Sequence, residues 1–146
     1  MHSPARCAAK ALAGLAVAVG LALAAASPGR AASTGEGATV KPLFSEKLPN
    51  VPGKTLTLVE VDYRPGGFSA PHRHQASGFV FAYVVSGTIR SRVEGGPLRV
   101  YRAGQSWTEP PNAHHLVSAN ASKTTPARLI AYIIADHGAQ PTIFDK

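Results

Sequence analysis

The stretch GGFSAPHRHQASGFVFAYVVSG, residues 66–87, carries the pattern that decides the fold. At its centre is His72-Arg73-His74, in which one residue separates two histidines. Side chains alternate between the two faces of a β-strand, so His72 and His74 point to the same side of a strand. The apolar run from Phe79 to Val85 ends at Ser86-Gly87, a pattern typical of a strand followed by a turn. The stretch therefore predicts successive strands that carry an imidazole pair on one face.

The segments around this stretch repeat the alternation of strand and turn. Residues 55–63 and 89–94 alternate apolar and polar side chains, and residues 128–135 are strongly apolar. Further short strands are predicted at residues 98–101 and 115–118. Turn residues recur at roughly the 8–12 residue spacing of an all-β sandwich or barrel. We therefore predict a single all-β barrel of about eight to ten strands, whose closure leaves few exposed strand edges.

The N-terminal residues have the features of a secretory signal peptide. Arg6 and Lys10 precede an apolar run that ends at Ala26, and small residues follow, with cleavage predicted after Ala26 or Ala31. The run is shorter than the roughly 20 residues of a spanning helix, and an uncleaved anchor is the alternative. We predict a cleavable signal peptide at 1–31, a flexible arm at 32–54 and the barrel domain at 55–146. The expected location is secreted or periplasmic.

Composition narrows the classes of partner and site. The only cysteine, Cys7, lies in the predicted signal peptide, so the mature chain would have neither a disulfide nor a thiolate metal site. Cleavage would lower the formal net charge from +7 to about +4. Four arginines cluster in one stretch but lack the dense, aromatic-interleaved stripe of a nucleic-acid site: Arg90, Arg92, Arg99 and Arg102. We expect no nucleic-acid partner, and no membrane association after cleavage.

A third histidine would complete a metal site with His72 and His74. Two adjacent candidates, His114 and His115, lie at the start of the strand predicted at residues 115–118. Strand alternation can turn only one of them inward. Three neutral imidazoles that converge would bind one divalent ion and leave coordination positions open.

These residues resemble the cupin superfamily, whose members fold as a double-stranded β-helix, or jelly-roll barrel. Its first motif is Gly, five residues, His-x-His, three or four residues, Glu, six residues and Gly. Its second is Gly, five residues, Pro, x, Gly, two residues, His, three residues and Asn. The matching positions are Gly66, His72, His74 and Gly87 for the first motif, and Gly104, Pro110 and His115 for the second. The resemblance covers residues 55–135 and implies a cupin domain over 55–146. It also implies metal ligation by His72, His74 and His115, with His114 as the alternative to His115.

The chain departs from the motifs at three positions. Asn112 replaces the second-motif glycine, and the terminal asparagine is displaced to Asn120, to which we attach no function. The glutamate is missing, because its place falls on Gly78, Phe79 or Val80. Without that carboxylate, three imidazoles would leave a divalent ion its full +2 charge, which favours an anionic substrate.

Glu109 is the only acidic residue inside the motif regions. It is a candidate fourth ligand or general base. A salt bridge with an arginine at the rim of the site is the favoured alternative.

The resemblance implies two classes of function. One is a metal-dependent oxygenase or isomerase that acts on a small, anionic, oxygen-rich substrate, with Fe²⁺, Mn²⁺, Ni²⁺ or Zn²⁺ as cofactor. The other is a periplasmic module that binds or senses a small molecule without turnover. Phe68, Val80 and Trp107 are expected to line the pocket. A homodimer is also expected, with Phe44 and the residues before Thr55 crossing onto the partner subunit.

Overall fold

The computed structural model of this protein describes residues 35–145, and all regular structure in this range is β-strand. The eleven strands are β1 (Ala38–Lys47), β2 (Lys54–Tyr63), β3 (Phe68–Ser69), β4 (His72–Arg73), β5 (Phe79–Ser86), β6 (Thr88–Val93), β7 (Arg99–Arg102), β8 (Ser106–Glu109), β9 (His114–Asn120), β10 (Ala127–Asp136) and β11 (Ile143–Phe144). The predicted all-β class is confirmed. The predicted signal peptide, residues 1–31, lies outside the described residues. Within residues 35–145, no helix has the length and apolarity needed to cross a membrane.

The strands form two antiparallel sheets. One has the order β1-β2-β10-β5-β8, and the other has the order β11-β4-β9-β6-β7, with β3 also paired to β9. The chain passes between the sheets in the manner of a jelly roll. Inward side chains of the first sheet, such as Val84 and Leu129, pack in one core with Ile89 of β6. The core therefore lies between the sheets, and so does the site described below.

Strand β1 corrects the prediction of a flexible arm at residues 32–54. Ala38–Lys47 pairs with β2 from Ala38 opposite Tyr63 to Lys47 opposite Thr55. The domain therefore begins no later than β1. Its side chains beyond Val40 are exposed because β1 is an edge strand, so its sequence lacks the alternation that marks a half-buried strand.

Several turns in the motif regions have a left-handed backbone, and Gly87 and Asn112 are two of the residues that adopt it. Gly87 has a φ of 72°, and a Cβ atom there would lie 2.5 Å from the carbonyl oxygen of Pro126. Asn112 has a φ of 62° and is the only non-glycine residue of the described range with a positive φ. Asparagine adopts this conformation more readily than most residues. This explains how Asn112 can replace the glycine of the second motif.

Asn120 has a structural role at the end of β9. Its buried amide nitrogen Nδ2 donates to the carbonyl oxygens of Arg64 (3.0 Å) and Thr125 (2.8 Å). Its Oδ1 accepts from the amide of Ser122 at 2.9 Å. Asn120 therefore joins the loop after β2 to the loop before β10, although it lies one position later than the motif asparagine.

Candidate metal centre

Strand pairing brings three of the predicted histidines together. His72 on β4 is the direct antiparallel partner of His115 on β9. The amide of His74 donates to the carbonyl of Ala113 at 3.0 Å, which continues this pairing. His72 and His74 are buried and Arg73 between them is exposed, as strand alternation requires. Each histidine offers one ring nitrogen to a group whose members lie within 4.8 Å of one another, an arrangement able to hold a metal ion.

Backbone carbonyls orient two of the imidazoles. Nδ1 of His72 donates to the carbonyl oxygen of Ala70, and Nδ1 of His74 donates to that of Pro141, both at 2.8 Å. Because a carbonyl oxygen can only accept, both histidines carry a proton on Nδ1. In the neutral rings, Nε2 then has the lone pair that a metal needs. Outer hydrogen bonds of this kind are typical of histidines that bind metals.

Burial keeps His72 in the neutral form. Loss of contact with water lowers the pKa of His72 to about 4, although the hydrogen bond to Ala70 opposes this shift. At neutral pH the ring is therefore uncharged, which is the form that binds a metal. Neutral imidazoles suit iron, nickel and zinc among other ions, so the donor set fits a divalent transition metal without selecting one.

The alternative ligand, His114, lies outside this group. Its cross-strand partner is Arg73, whose Nη2 donates to Nδ1 of His114 at 2.9 Å. The other nitrogen, Nε2, donates to Oδ2 of Asp145 at 2.8 Å. Both ring nitrogens of His114 therefore have polar partners away from the cluster, and His115 is the member of the pair that joins His72 and His74.

Glu109 lies inside the cluster and not at its rim. Its side chain is only 2% exposed, and Trp107, two residues earlier on β8, also faces inward. Oε1 of Glu109 is 3.0 Å from Nδ1 of His115, and Oε2 is 3.1 Å from Nε2 of His74. The indole Nε1 of Trp107 donates to Oε1 at 3.0 Å. The predicted rim salt bridge with an arginine is therefore wrong, because the charged partners of this buried carboxylate are histidines.

The histidines stabilise the charged form of Glu109. Burial alone would raise the pKa of this carboxyl, but the contacts with His115 and His74 outweigh it and hold the pKa well below its usual range. Burial would also lower the pKa of His74, but the same carboxylate outweighs that effect and raises it. Glu109 thus brings a negative charge to the cluster. The prediction of a full +2 charge on a bound ion did not include this neighbouring carboxylate.

A hydroxyl cluster that the sequence analysis missed adjoins the same site. The Tyr63 hydroxyl lies 2.8 Å from Oγ of Ser69 and 2.8 Å from Oγ of Ser118. These two serines are direct partners on β3 and β9. Of these three residues, only Tyr63 could be placed from the sequence, because alternation along β2 predicts that it lies on the same face as Val59 and Val61.

The three histidines, Glu109 and both serines line a cavity of about 260 Å³ between the sheets. Much of its wall is apolar and includes Val40, Val59, Val61, Val80, Ala82, Trp107, Leu129, Ala131, Ile133 and Phe144. Among the described residues, no lysine or arginine lines it. Of the three residues predicted for the pocket, Val80 and Trp107 line the cavity. Phe68 is a wrong prediction, because alternation along β3 turns Ser69 inward and leaves Phe68 42% exposed.

Comparisons with known proteins agree with this architecture. A family model described as a cupin domain matches residues 59–133, slightly more than half of the 146 residues. A search of the curated proteins found no match.

Several solved structures have a similar fold. One is oxalate oxidase in complex with the substrate analogue glycolate, with a TM-score of 0.60 and 23% identity over 79% of this chain and 59% of that chain. This chain therefore spans less than two thirds of the oxalate oxidase chain. A cupin-like protein from Thermotoga maritima has a TM-score of 0.59 and 21% identity over 82% of this chain and 86% of that chain. KdgF from Halomonas sp. has a TM-score of 0.52 and 21% identity over 69% of this chain and 80% of that chain. At such identities these likenesses concern the fold alone.

Proposed function

Because this chain belongs to the cupin domain family, we propose that it is an exported, metal-dependent oxygenase that acts on a small molecule. One divalent transition metal would be held by His72, His74 and His115. The observation that carries this proposal is the convergence of three buried imidazoles at the wall of an apolar cavity. A bound ion would supply a Lewis acid toward substrate oxygens and, in the case of iron or manganese, a redox centre.

The lining of the cavity favours a substrate with two chemically different ends. No lysine or arginine among the described residues lines the cavity, so an anionic oxygen would have to be held at the metal centre. The remaining wall is largely aliphatic and suits an apolar body. The volume of about 260 Å³ is close to the lower end of the roughly 300–1,000 Å³ of ligand pockets. The substrate is therefore a small, partly apolar molecule and not a highly polar one.

The hydroxyl cluster offers a second polar contact to this substrate. The hydroxyls of Tyr63, Ser69 and Ser118 have three protons, and the two contacts between them use two. The third proton is available to an acceptor, and both serines line the cavity. Ser118 lies three residues after His115 on β9, and a bulge between them allows both side chains to line the cavity. A carbonyl or ether oxygen of a substrate bound at the metal would match this donor.

An oxygenase fits the site better than an isomerase does. Isomerisation by proton transfer requires an acid or base that is free to act on the substrate. The His, Asp and Glu side chains of the described range that line the cavity are His72, His74, His115 and Glu109. The three histidines form the candidate metal group, and Glu109 contacts two of them. None of them is therefore independent of the proposed metal.

The test is metal-dependent oxygen consumption by the full chain, purified from its native compartment and assayed after metal analysis. Protein reloaded with Fe²⁺ or Mn²⁺ would be offered bidentate oxygen donors with apolar bodies, such as catechols, 1,3-diketones and 2-oxo acids. Turnover that is lost in His72→Ala would support the proposal. Saturable binding of these compounds without turnover would favour the non-catalytic binding or sensing module. Absence of metal binding would overturn the oxygenase and leave the binding or sensing module.

Export and dimerisation are parts of this proposal that rest on other residues. The charged start, apolar run and small residues before position 32 support export, which cell fractionation and N-terminal sequencing of the purified protein would test.

A continuous apolar row on the outer face of the five-stranded sheet supports a homodimer. It crosses four strands through the register partners Phe44, Leu58, Tyr132 and Phe81. A second copy that covers this row would remove it from water.

A further inference from the structure

The place of the missing motif glutamate is adjacent to Glu109. Counting back from Gly87 with six residues between, the glutamate would stand at Val80 on β5. Val80 is the direct antiparallel partner of Glu109 on β8. Both side chains line the cavity. A carboxylate therefore enters the cavity one strand away from the place where the motif would put it.

The contact between Glu109 and His74 leaves one oxygen of this buried carboxylate without a hydrogen bond in the described range. Oε2 of Glu109 is 3.1 Å from Nε2 of His74, yet this buried oxygen has no hydrogen-bond partner among the described residues. Neighbouring ligands about 2.1 Å from one ion would lie roughly 3.0–3.4 Å apart, depending on the angle between them. The Oε2–Nε2 distance has that size, as does the 3.0 Å between Oε1 and Nδ1 of His115.

We propose that Glu109 is a fourth protein ligand of the metal, supplied from β8 in place of the motif glutamate on β5. This inference rests on the proposed metal centre of His72, His74 and His115. The ion would complete the coordination of the otherwise unpartnered Oε2. Trp107 is a positioning residue, because its indole N–H holds Oε1 at 3.0 Å and so fixes the direction of the carboxylate.

The proposal changes the charge of the centre. One carboxylate among the ligands reduces the net charge of a divalent site from +2 to +1. The site would then bind a divalent ion more tightly in the absence of substrate, and would attract an anionic substrate less strongly than three imidazoles alone. The largely apolar lining of the cavity is consistent with this, because a centre of net charge +1 needs less negative charge from the substrate.

Co²⁺ binding tests this proposal without any knowledge of the substrate. Glu109→Gln keeps the size of the side chain and an acceptor for Trp107, and removes the charge. We expect its Co²⁺ affinity to fall at least roughly 100-fold, with a changed visible spectrum of bound Co²⁺. Glu94→Gln is the matched control, because Glu94 is exposed and contacts Arg73 and His114 outside the cluster. Its affinity and spectrum should equal those of the wild type.

An unchanged affinity and spectrum in Glu109→Gln would overturn the fourth ligand. The three-histidine centre would then still stand, since it is tested separately by the loss of Co²⁺ binding in His72→Ala. Circular dichroism shows whether each variant is folded.

Moving the carboxylate back to β5 is a second test. Glu109→Val alone should lose affinity as Glu109→Gln does, and the double variant Val80→Glu/Glu109→Val should recover it to within about tenfold of the wild type. A folded double variant that binds Co²⁺ no better than Glu109→Val would overturn the equivalence of the two positions.

Discussion

His72 and His115 are direct partners in the antiparallel pair of β4 and β9, and their ring centroids lie 5.1 Å apart. The register of the sheet therefore sets the distance between two of the three proposed ligands. Backbone hydrogen bonds of a sheet hold such a pair more firmly than a loop would. We infer that the metal centre is largely preformed, so that a single ligand can be removed without loss of the fold.

His72→Ala should abolish metal retention and leave the β-sheet signal in circular dichroism unchanged. The variant removes one of three convergent nitrogens, and we expect affinity to fall by roughly 100-fold or more. Elemental analysis after dialysis measures the metal content. His114→Ala is the matched control, since this neighbouring histidine contacts Arg73 and Asp145 outside the cluster. A His72→Ala protein with wild-type metal content would remove His72 from the ligand set.

Metal affinity should fall in mild acid, and protonation of His74 should contribute to this fall. Glu109 raises the pKa of His74 above its ordinary value of 6.5, whereas burial lowers the pKa of His72 to about 4. A metal must displace the proton of His74, so affinity decreases as pH falls through that raised pKa. The decrease should begin above pH 6.5 and approach about tenfold per pH unit while one proton competes. His72 adds no competition until the pH nears 4.

Chelator competition between pH 9 and pH 5 measures this dependence. A constant affinity over that range would argue against histidine ligation. A decrease that begins only below pH 6 would instead indicate that Glu109 does not raise the pKa of His74.

The histidine cluster could be predicted from the sequence because its pattern is local. His72 and His74 need only the alternation of one strand, and the choice of His115 over His114 follows from the spacing of the second motif. The role of Glu109 depends on the register between β5 and β8, which no local pattern encodes. Its one local signal was the position two residues after Trp107, which places both on one face of β8.

Exposure explains two of the wrong structural predictions, the flexible arm and the pocket position of Phe68. β1 is an edge strand with mostly exposed side chains, so its residues resemble a polar arm. Phe68 is an exposed aromatic residue next to a buried serine, Ser69. The usual expectation, that the apolar side chain faces inward and the polar one outward, therefore fails on β3. In both cases, pairing with another strand outweighed the local distribution of apolar residues.

Tyr63→Phe should destabilise the protein. The substitution removes the hydroxyl that joins Ser69 and Ser118, and leaves two buried serines without that partner. We expect a loss of about 1–3 kcal/mol in the free energy of unfolding, measured by urea denaturation at pH 7. Tyr83→Phe on the exposed face of β5 is the control and should be neutral. Equal stabilities of Tyr63→Phe and the wild type would show that the hydroxyl cluster is not a stabilising network.

Ionisation of Tyr63 should reduce the stability of the protein at alkaline pH. Burial raises the pKa of Tyr63 above its ordinary value of 10.0. The unfolded chain therefore ionises first, so this contribution to stability is complete below pH 10 and decreases as the pH rises through the folded-state pKa. The wild type should lose more stability than Tyr63→Phe between pH 9 and pH 11, as measured by urea denaturation. Equal losses in the free energy of unfolding of both proteins would contradict a contribution of Tyr63 to the pH dependence.

Phe81→Glu should convert the proposed homodimer into a monomer. Phe81 is 37% exposed on the outer face of β5, and its ring contacts Tyr132 in the apolar row. In a symmetric dimer the substitution would bury one unpaired charge from each partner. We therefore expect the dissociation constant of the dimer to rise at least roughly 100-fold. Val100→Glu is the control, because Val100 is 52% exposed on β7 of the other sheet and should leave the mass in light scattering unchanged. Metal content should be preserved in both variants, and a Phe81→Glu protein that keeps the dimer mass would move the interface to another surface.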